Sequence, residues 1–258
     1  MRDSLSPSQT SIIRMNAAFR SVRLAAIAAL VIFALAAAAP AYEGGGPVTT
    51  GGTITGVVTL EGAAPAPQPI EISKDRDVCG AKPLFDEDLV VGKDNGIANA
   101  VVTIADITGG APLKPLSDVK FDQRGCRYEP HVLAFPAGSS VDIINSDGIL
   151  HSVRTESKLN PPIDMAQPGF KHVITVTVDK PEVIHVSCDA HNWMEGWWYV
   201  TANPYYAVTD ADGHFTINDV PPGAYKLKVW QEKLGVDTRS ITVKPGETTT
   251  VDFALKQK

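Results

Sequence analysis

The sequence predicts an all-β protein, on three observations. Apolar and β-branched residues come in short runs, of which Val173-Ile-Thr-Val-Thr-Val178 is the plainest. Glycine (21 residues) and proline (19) are plentiful and fall between those runs, as strand-terminating turns require. After the N-terminal region no stretch keeps the apolar spacing of a long amphipathic helix.

The first 41 residues differ in kind from the rest. Arg14, Arg20 and Arg23 precede the apolar run Leu24–Ala36, and Ala39-Pro40-Ala41 offers small residues around a cleavage point. This is the pattern of a secretory signal peptide cut after about Ala41. The run is short for a membrane span, so no integral anchor is expected. Residues 1–41 hold four Arg and one Asp, so the whole-chain formal charge of −6 becomes −9 in the remainder. An acidic exported protein is poorly suited to nucleic acid and can be steered toward a basic protein partner.

Residues 42–52, rich in glycine, read as a flexible leader. Ile54–Leu60 reads as a strand, followed by a proline-rich loop at 62–69, and Ile70–Ile72 as the start of another. Ile97–Ala105, Val119–Gln123, His131–Phe135 and Ser140–Ile144 are further strands. The cluster Asn145-Ser-Asp-Gly148 is a turn leading to His151. Residues 158–170, with three prolines, read as a loop. Lys171–Val178, Glu182–Cys188 and Trp197–Thr201 complete a sandwich spanning 53–202. Asn203-Pro204 marks a boundary. Beyond it, 203–258 reads as a second small β-sandwich, opened by a hairpin whose turn is Asp210–Gly213. At about 55 residues that unit is marginal as an independent core.

One stretch carries chemistry. Cys188-Asp-Ala-His191-Asn-Trp-Met194 sets a thiolate, an imidazole and a thioether within seven residues. Two imidazoles and a thiolate with a weak axial thioether make a copper site suited to electron transfer. The missing imidazole is His151, at the end of the Asn145 turn and on the same rim of a sandwich as Cys188. Export bears on the cysteines, of which there are three: Cys79, Cys126 and Cys188. Pairing of Cys79 with Cys126 leaves Cys188 free as a ligand, whereas pairing of Cys126 with Cys188 destroys the site. His131 reads as a structural strand histidine or as part of the metal rim or a second metal site, and His172, His185 and His214 read as structural or surface histidines. Trp193 belongs either to an apolar rim or to the core, and Trp197 and Trp198 to the core. No nucleophile elbow, phosphate loop or zinc-protease pattern is present, so an enzyme is not expected.

Asn145-Ser-Asp-Gly-Ile-Leu-His151 and Cys188-x2-His191-x2-Met194, with Tyr128-Glu-Pro130 and Gly138-Ser-Ser-Val141, resemble the cupredoxin (blue copper) family, the ligand loop being of the short amicyanin type. The resemblance covers roughly residues 97–202. It implies a Greek-key β-sandwich with one mononuclear copper ion on His151, Cys188, His191 and axial Met194. It further implies one-electron transfer between redox proteins in the periplasm, the partner being cytochrome-like or dehydrogenase-like. Ala207–Phe215 and Val220–Tyr225 resemble the carboxypeptidase-regulatory-like (transthyretin-like) sandwich that exported methylamine-utilisation-like proteins join to a cupredoxin unit. Departures from the family pattern are Ser152, where Asn is common, and Ala190 and Asn192, where the loop often carries proline. Two other readings stand beside this one: copper binding or delivery without redox turnover, and an exported structural or ligand-binding sandwich.

Overall fold

The computed structural model describes residues 41–257. The signal-peptide reading of 1–41 lies outside them but for Ala41. The fold is all-β, as the sequence predicts: strands make four main sheets, and the one α-helix among the described residues is the single turn Arg76–Cys79. Among the described residues no helix is long and apolar enough to cross a membrane.

The sheets pair into two sandwiches. In the first, one sheet runs Asp164–Gln167, His151–Glu156, Glu182–Ser187, Glu195–Thr201, Val132–Pro136. Its partner runs Val173–Val178, Ser139–Asn145, Val119–Gln123, Tyr128–Glu129. Each sheet mixes one parallel pairing with antiparallel ones, the consequence of Greek-key crossings between sheets. Strand Ser139–Asn145 shows the cause in its sequence: Ser139, Val141, Ile143 and Asn145 point inward, and the residues between them are half-exposed. Trp198, fully buried, fills the centre, meeting Phe121 edge-on at 5.4 Å and Phe135 at 6.0 Å.

The second sandwich corrects the expected division into 53–202 and 203–258. Strand Gly52–Leu60 lies between His214–Val220 and Thr248–Thr250, and also pairs with Phe253–Leu255. Strand Val101–Ile104 lies between Tyr206–Val208 and Gly223–Gln231. Both were expected in the copper-bearing sandwich, yet Ile54, Val58, Val102 and Ile104 share one core with Phe215, Leu227 and Phe253. The C-terminal strands alone lack the two central strands that cover their apolar faces.

Four local expectations also change. The leader is not wholly free, because Glu43–Gly44 pairs with Gly109–Gly110 and the Tyr42 hydroxyl donates to the Ala111 carbonyl. The strand expected at 97–105 is only Val101–Ile104, since Asn99 turns the chain with φ 61°. Residues 164–167, a proline-free run between Pro162 and Pro168, form an edge strand on His151–Glu156 where a loop was expected. The turn Asp210–Gly213 does not close a hairpin: it carries the chain from one sheet to the other. Gly213 (φ 81°) is needed there, because a Cβ would stand 2.3 Å from the Val58 carbonyl oxygen.

The two sandwiches meet at a small polar centre in an apolar seam. Glu232 accepts from Trp197 Nε1 at 2.6 Å and bonds His131 Nε2 at 2.5 Å, while Trp197 packs against Trp230.

Candidate metal centre

His151 opens a strand directly after the turn at 145–150. That turn is held from beneath by buried amides. Asn145 Nδ2 donates to the carbonyls of Ile149 and Gln167, and Gln167 in turn accepts from Gln123 Nε2 at 2.6 Å. Gly169 packs so closely on the turn that a Cβ would lie 2.0 Å from the Gly148 carbonyl oxygen. The ligand loop is closed by its own backbone: Cys188 N donates to the Met194 carbonyl and Met194 N to that of His191. Local bonding on both sides therefore fixes where the two segments meet.

They bring His151, Cys188 and His191 together, a ligand atom from each lying within 4.8 Å of the others. The two Nδ1 atoms are 3.0 Å apart, and Cys188 Sγ is 3.9 Å from His191 Nδ1. Both rings have no exposed surface, and Cys188 is almost as deeply buried. Met194 is buried in the same core. Cys126, Asp147 and His151 also cluster, but Cys126 has no thiolate to offer, being bonded to Cys79. That disulfide leaves Cys188 as the free cysteine.

The far nitrogen of each ring is engaged. His151 Nε2 donates to Asp147 Oδ2 at 3.0 Å, and His191 Nε2 donates to Asp75 Oδ2 at 2.8 Å. An ionised carboxylate only accepts, so each Nε2 carries a proton and each Nδ1 is turned into the pocket. Two lone pairs 3.0 Å apart in a dry pocket repel unless a cation, a proton or a metal ion, stands between them. The residues thus fit a bound metal: two imidazoles and a thiolate converge, with a buried thioether beside them, a donor set soft enough for copper.

Electrostatics favour the thiolate. Burial raises the Cys188 pKa, but hydrogen bonds from His151, from the Ser152 N–H at 3.3 Å and from its hydroxyl bring it down to about 6. Burial lowers His151, and the hydrogen bonds to Asp147 and Cys188 outweigh it, raising it to about 8.

Three supporting residues went unassigned in the sequence. Ser152 ties the two loops: its hydroxyl accepts from Asp189 N at 2.7 Å while its own N–H points at the sulfur. Asp147 lies inside the recognised turn, and its carboxylate also accepts from the backbone of Gly125 and Cys126. Asp75 comes from far upstream, just past Ile70–Ile72, where no pattern signals it. Trp193 lies beside His191, ring centroids 5.1 Å apart. His131 is not part of the cluster, and His185 lies between Glu156 and Glu195.

Comparisons with known proteins give partial matches. A family described as polysaccharide lyase family 4, domain II matches residues 174–251. A putative rhamnogalacturonase of Neurospora crassa is 37% identical over 57 residues, and rhamnogalacturonate lyase A of Aspergillus aculeatus 40% over 57. Each match covers 22% of this chain and 11% of the relative, so the chain spans about a tenth of the length of these curated relatives. Among solved structures, a copper-containing nitrite reductase from Thermus scotoductus is similar over 38% of this chain and 25% of its own, at 24% identity and TM-score 0.31. A purple cupredoxin from Nitrosopumilus maritimus matches 33% of this chain and 100% of its own, at 18% identity and TM-score 0.28. Amicyanin from Paracoccus versutus matches 39% and 97%, at 15% identity and TM-score 0.30.

Proposed function

We propose that this chain is a periplasmic mononuclear copper protein that carries one electron at a time between redox proteins. The observation that supports the reading is the convergence of His151 Nδ1, His191 Nδ1 and Cys188 Sγ in a water-excluded pocket, with both imidazoles locked from behind by carboxylates. His151, Cys188 and His191 would hold the ion, with Met194 as the fourth donor. Bound copper supplies the one-electron couple. The protein's part is to hold the rings and sulfur in one arrangement for both oxidation states, which keeps rearrangement per electron small. The Ser152 N–H bonded to the sulfur tunes that couple by drawing charge from the thiolate.

The test is an absorption and electron-paramagnetic-resonance spectrum of the copper-loaded protein. An intense thiolate-to-copper band, lost in Cys188→Ser, supports the reading. A colourless Cu(II) form overturns it. Fast, reversible voltammetry separates the electron carrier from a protein that only binds or delivers copper.

The family match at 174–251, which runs across strands of both sandwiches, supports a second reading, binding of the chain to a polysaccharide. Retention of the full chain on rhamnogalacturonan, compared with an unrelated glucan, tests it.

A further inference from the structure

His191 comes from the ligand loop, yet what closes over it comes from 116 residues away. Asp75 accepts from His191 Nε2, and next to it Lys74 Nζ donates to the Ala190 carbonyl at 3.4 Å. The ring beneath has no exposed surface, whereas the Asp75 side chain is 37% exposed, so this segment is a thin layer between the imidazole and water.

Asp75 holds a left-handed backbone conformation (φ 46°, ψ 44°), which a non-glycine residue keeps only when its surroundings impose it. The imposition is visible. Val78 N and Cys79 N donate to the Asp75 carbonyl, Arg76 Nε donates to the Ile72 carbonyl, and Cys79 is bonded to Cys126. Cys126 N in turn donates to Asp147 Oδ2, the carboxylate oxygen that accepts from His151 Nε2. One covalent bond therefore joins the supports of the two histidines: Asp75 four residues before Cys79, and Asp147 on the N–H of Cys126.

We infer that Asp75 is a positioning residue for His191, and that the segment carrying it is a cap, anchored by the Cys79–Cys126 disulfide, that sets how readily a metal leaves the His151–Cys188–His191 site. The inference rests on the copper reading above. Without Asp75 the imidazole loses the bond that fixes its tautomer and orientation, and water reaches the Nδ1 pair. Without the disulfide the turn that presents Asp75 loses its tether, and Asp147 loses part of its support.

Two measurements on the full chain test this, one of them independent of metal. In the metal-free protein, Cys188 is the free thiol, and its rate of alkylation by a maleimide reports how well the site is covered. We expect that rate to rise at least about tenfold in Asp75→Ala and in Cys79→Ser/Cys126→Ser. It stays near wild type in Asp75→Asn, which keeps an oxygen acceptor. In the copper-loaded protein, loss of metal to a chelator accelerates about 10–100-fold in Asp75→Ala, in line with the usual effect of removing a group that orients a ligand. Alkylation and release unchanged in Asp75→Ala overturn the cap, even where the double serine variant does not fold. Should the wild type take up no copper, the copper reading fails, and the alkylation rates alone judge the cap.

Discussion

His151 and His191 face each other through their Nδ1 atoms at 3.0 Å, and each is held from behind by an aspartate. This face-to-face arrangement is one that a cation between the two nitrogens would satisfy. The carboxylates accept from the outer N–H groups, which leaves both Nδ1 atoms turned into the pocket beside the Cys188 sulfur.

Asp147 is the more deeply rooted of the two aspartates. Burial raises its pKa, but hydrogen bonds from His151 and from the Cys126 and Gly125 N–H groups bring it below the ordinary carboxylate value. Asp147→Ala strands those two backbone donors as well as the imidazole. We expect a loss of about 1–3 kcal/mol in stability by urea denaturation. Copper affinity should fall by about 10–100-fold in a competition titration. Unchanged affinity means that the carboxylate does not orient His151.

The C-terminal sandwich depends on strands from the other end of the chain. Gly52–Leu60 and Val101–Ile104 sit inside its sheets, and Ile54, Val58, Val102 and Ile104 lie at the centre of its core. Residues 203–258 expressed alone should therefore be unfolded by circular dichroism, with amide resonances collapsed into the random-coil range. A cooperative thermal transition in that fragment would contradict this dependence.

What was legible in the sequence divides along the same line. Cys188, His191 and Met194 stand out because three donor types that a soft metal accepts fall on one tight loop, and His151 because a turn signal precedes it. The strands read correctly where alternation is local, as in Ser139–Asn145. The partners of Gly52–Leu60 and the role of Asp75 are non-local. Nothing in an alternating strand says which sheet will accept it, and an aspartate among the charged residues Lys74–Asp77 looks like any solvated one. Ser152 was read as a missing family feature, whereas its hydroxyl and N–H tie the loops by another route.

The seam between the sandwiches should be pH-sensitive. Burial lowers the His131 pKa, but the hydrogen bond and charge of Glu232 outweigh it, and the net shift is upward. A raised folded-state value means the stabilisation is fully present below the unfolded value near 6.5 and is lost as pH rises through the folded one. Glu232→Gln removes the charge and keeps the shape. At pH 5.5 the variant should be about 1–3 kcal/mol less stable than wild type by denaturant unfolding, and the gap should narrow at pH 9. A gap that widens with pH would reverse the sign of the coupling.

Glu182 supplies the opposite sign. Its carboxylate gathers the loop 157–160, accepting from the Ser157 hydroxyl at 2.6 Å, from the backbone of Lys158 and Leu159, and from Asn160 Nδ2. Burial opposes ionisation, but these bonds prevail and bring the group from 4.5 down to about 2. A depressed value means the stabilisation is complete above about 4.5 and is lost as pH falls through about 2. Glu182→Gln should therefore be about 1–2 kcal/mol less stable than wild type at pH 7, after allowance for solvent around the carboxylate. Urea midpoints for the two proteins should converge as the pH is taken from 5 to 2. The carboxylate's charge, not its shape, organises this loop only if they do, because the amide keeps the shape at every pH.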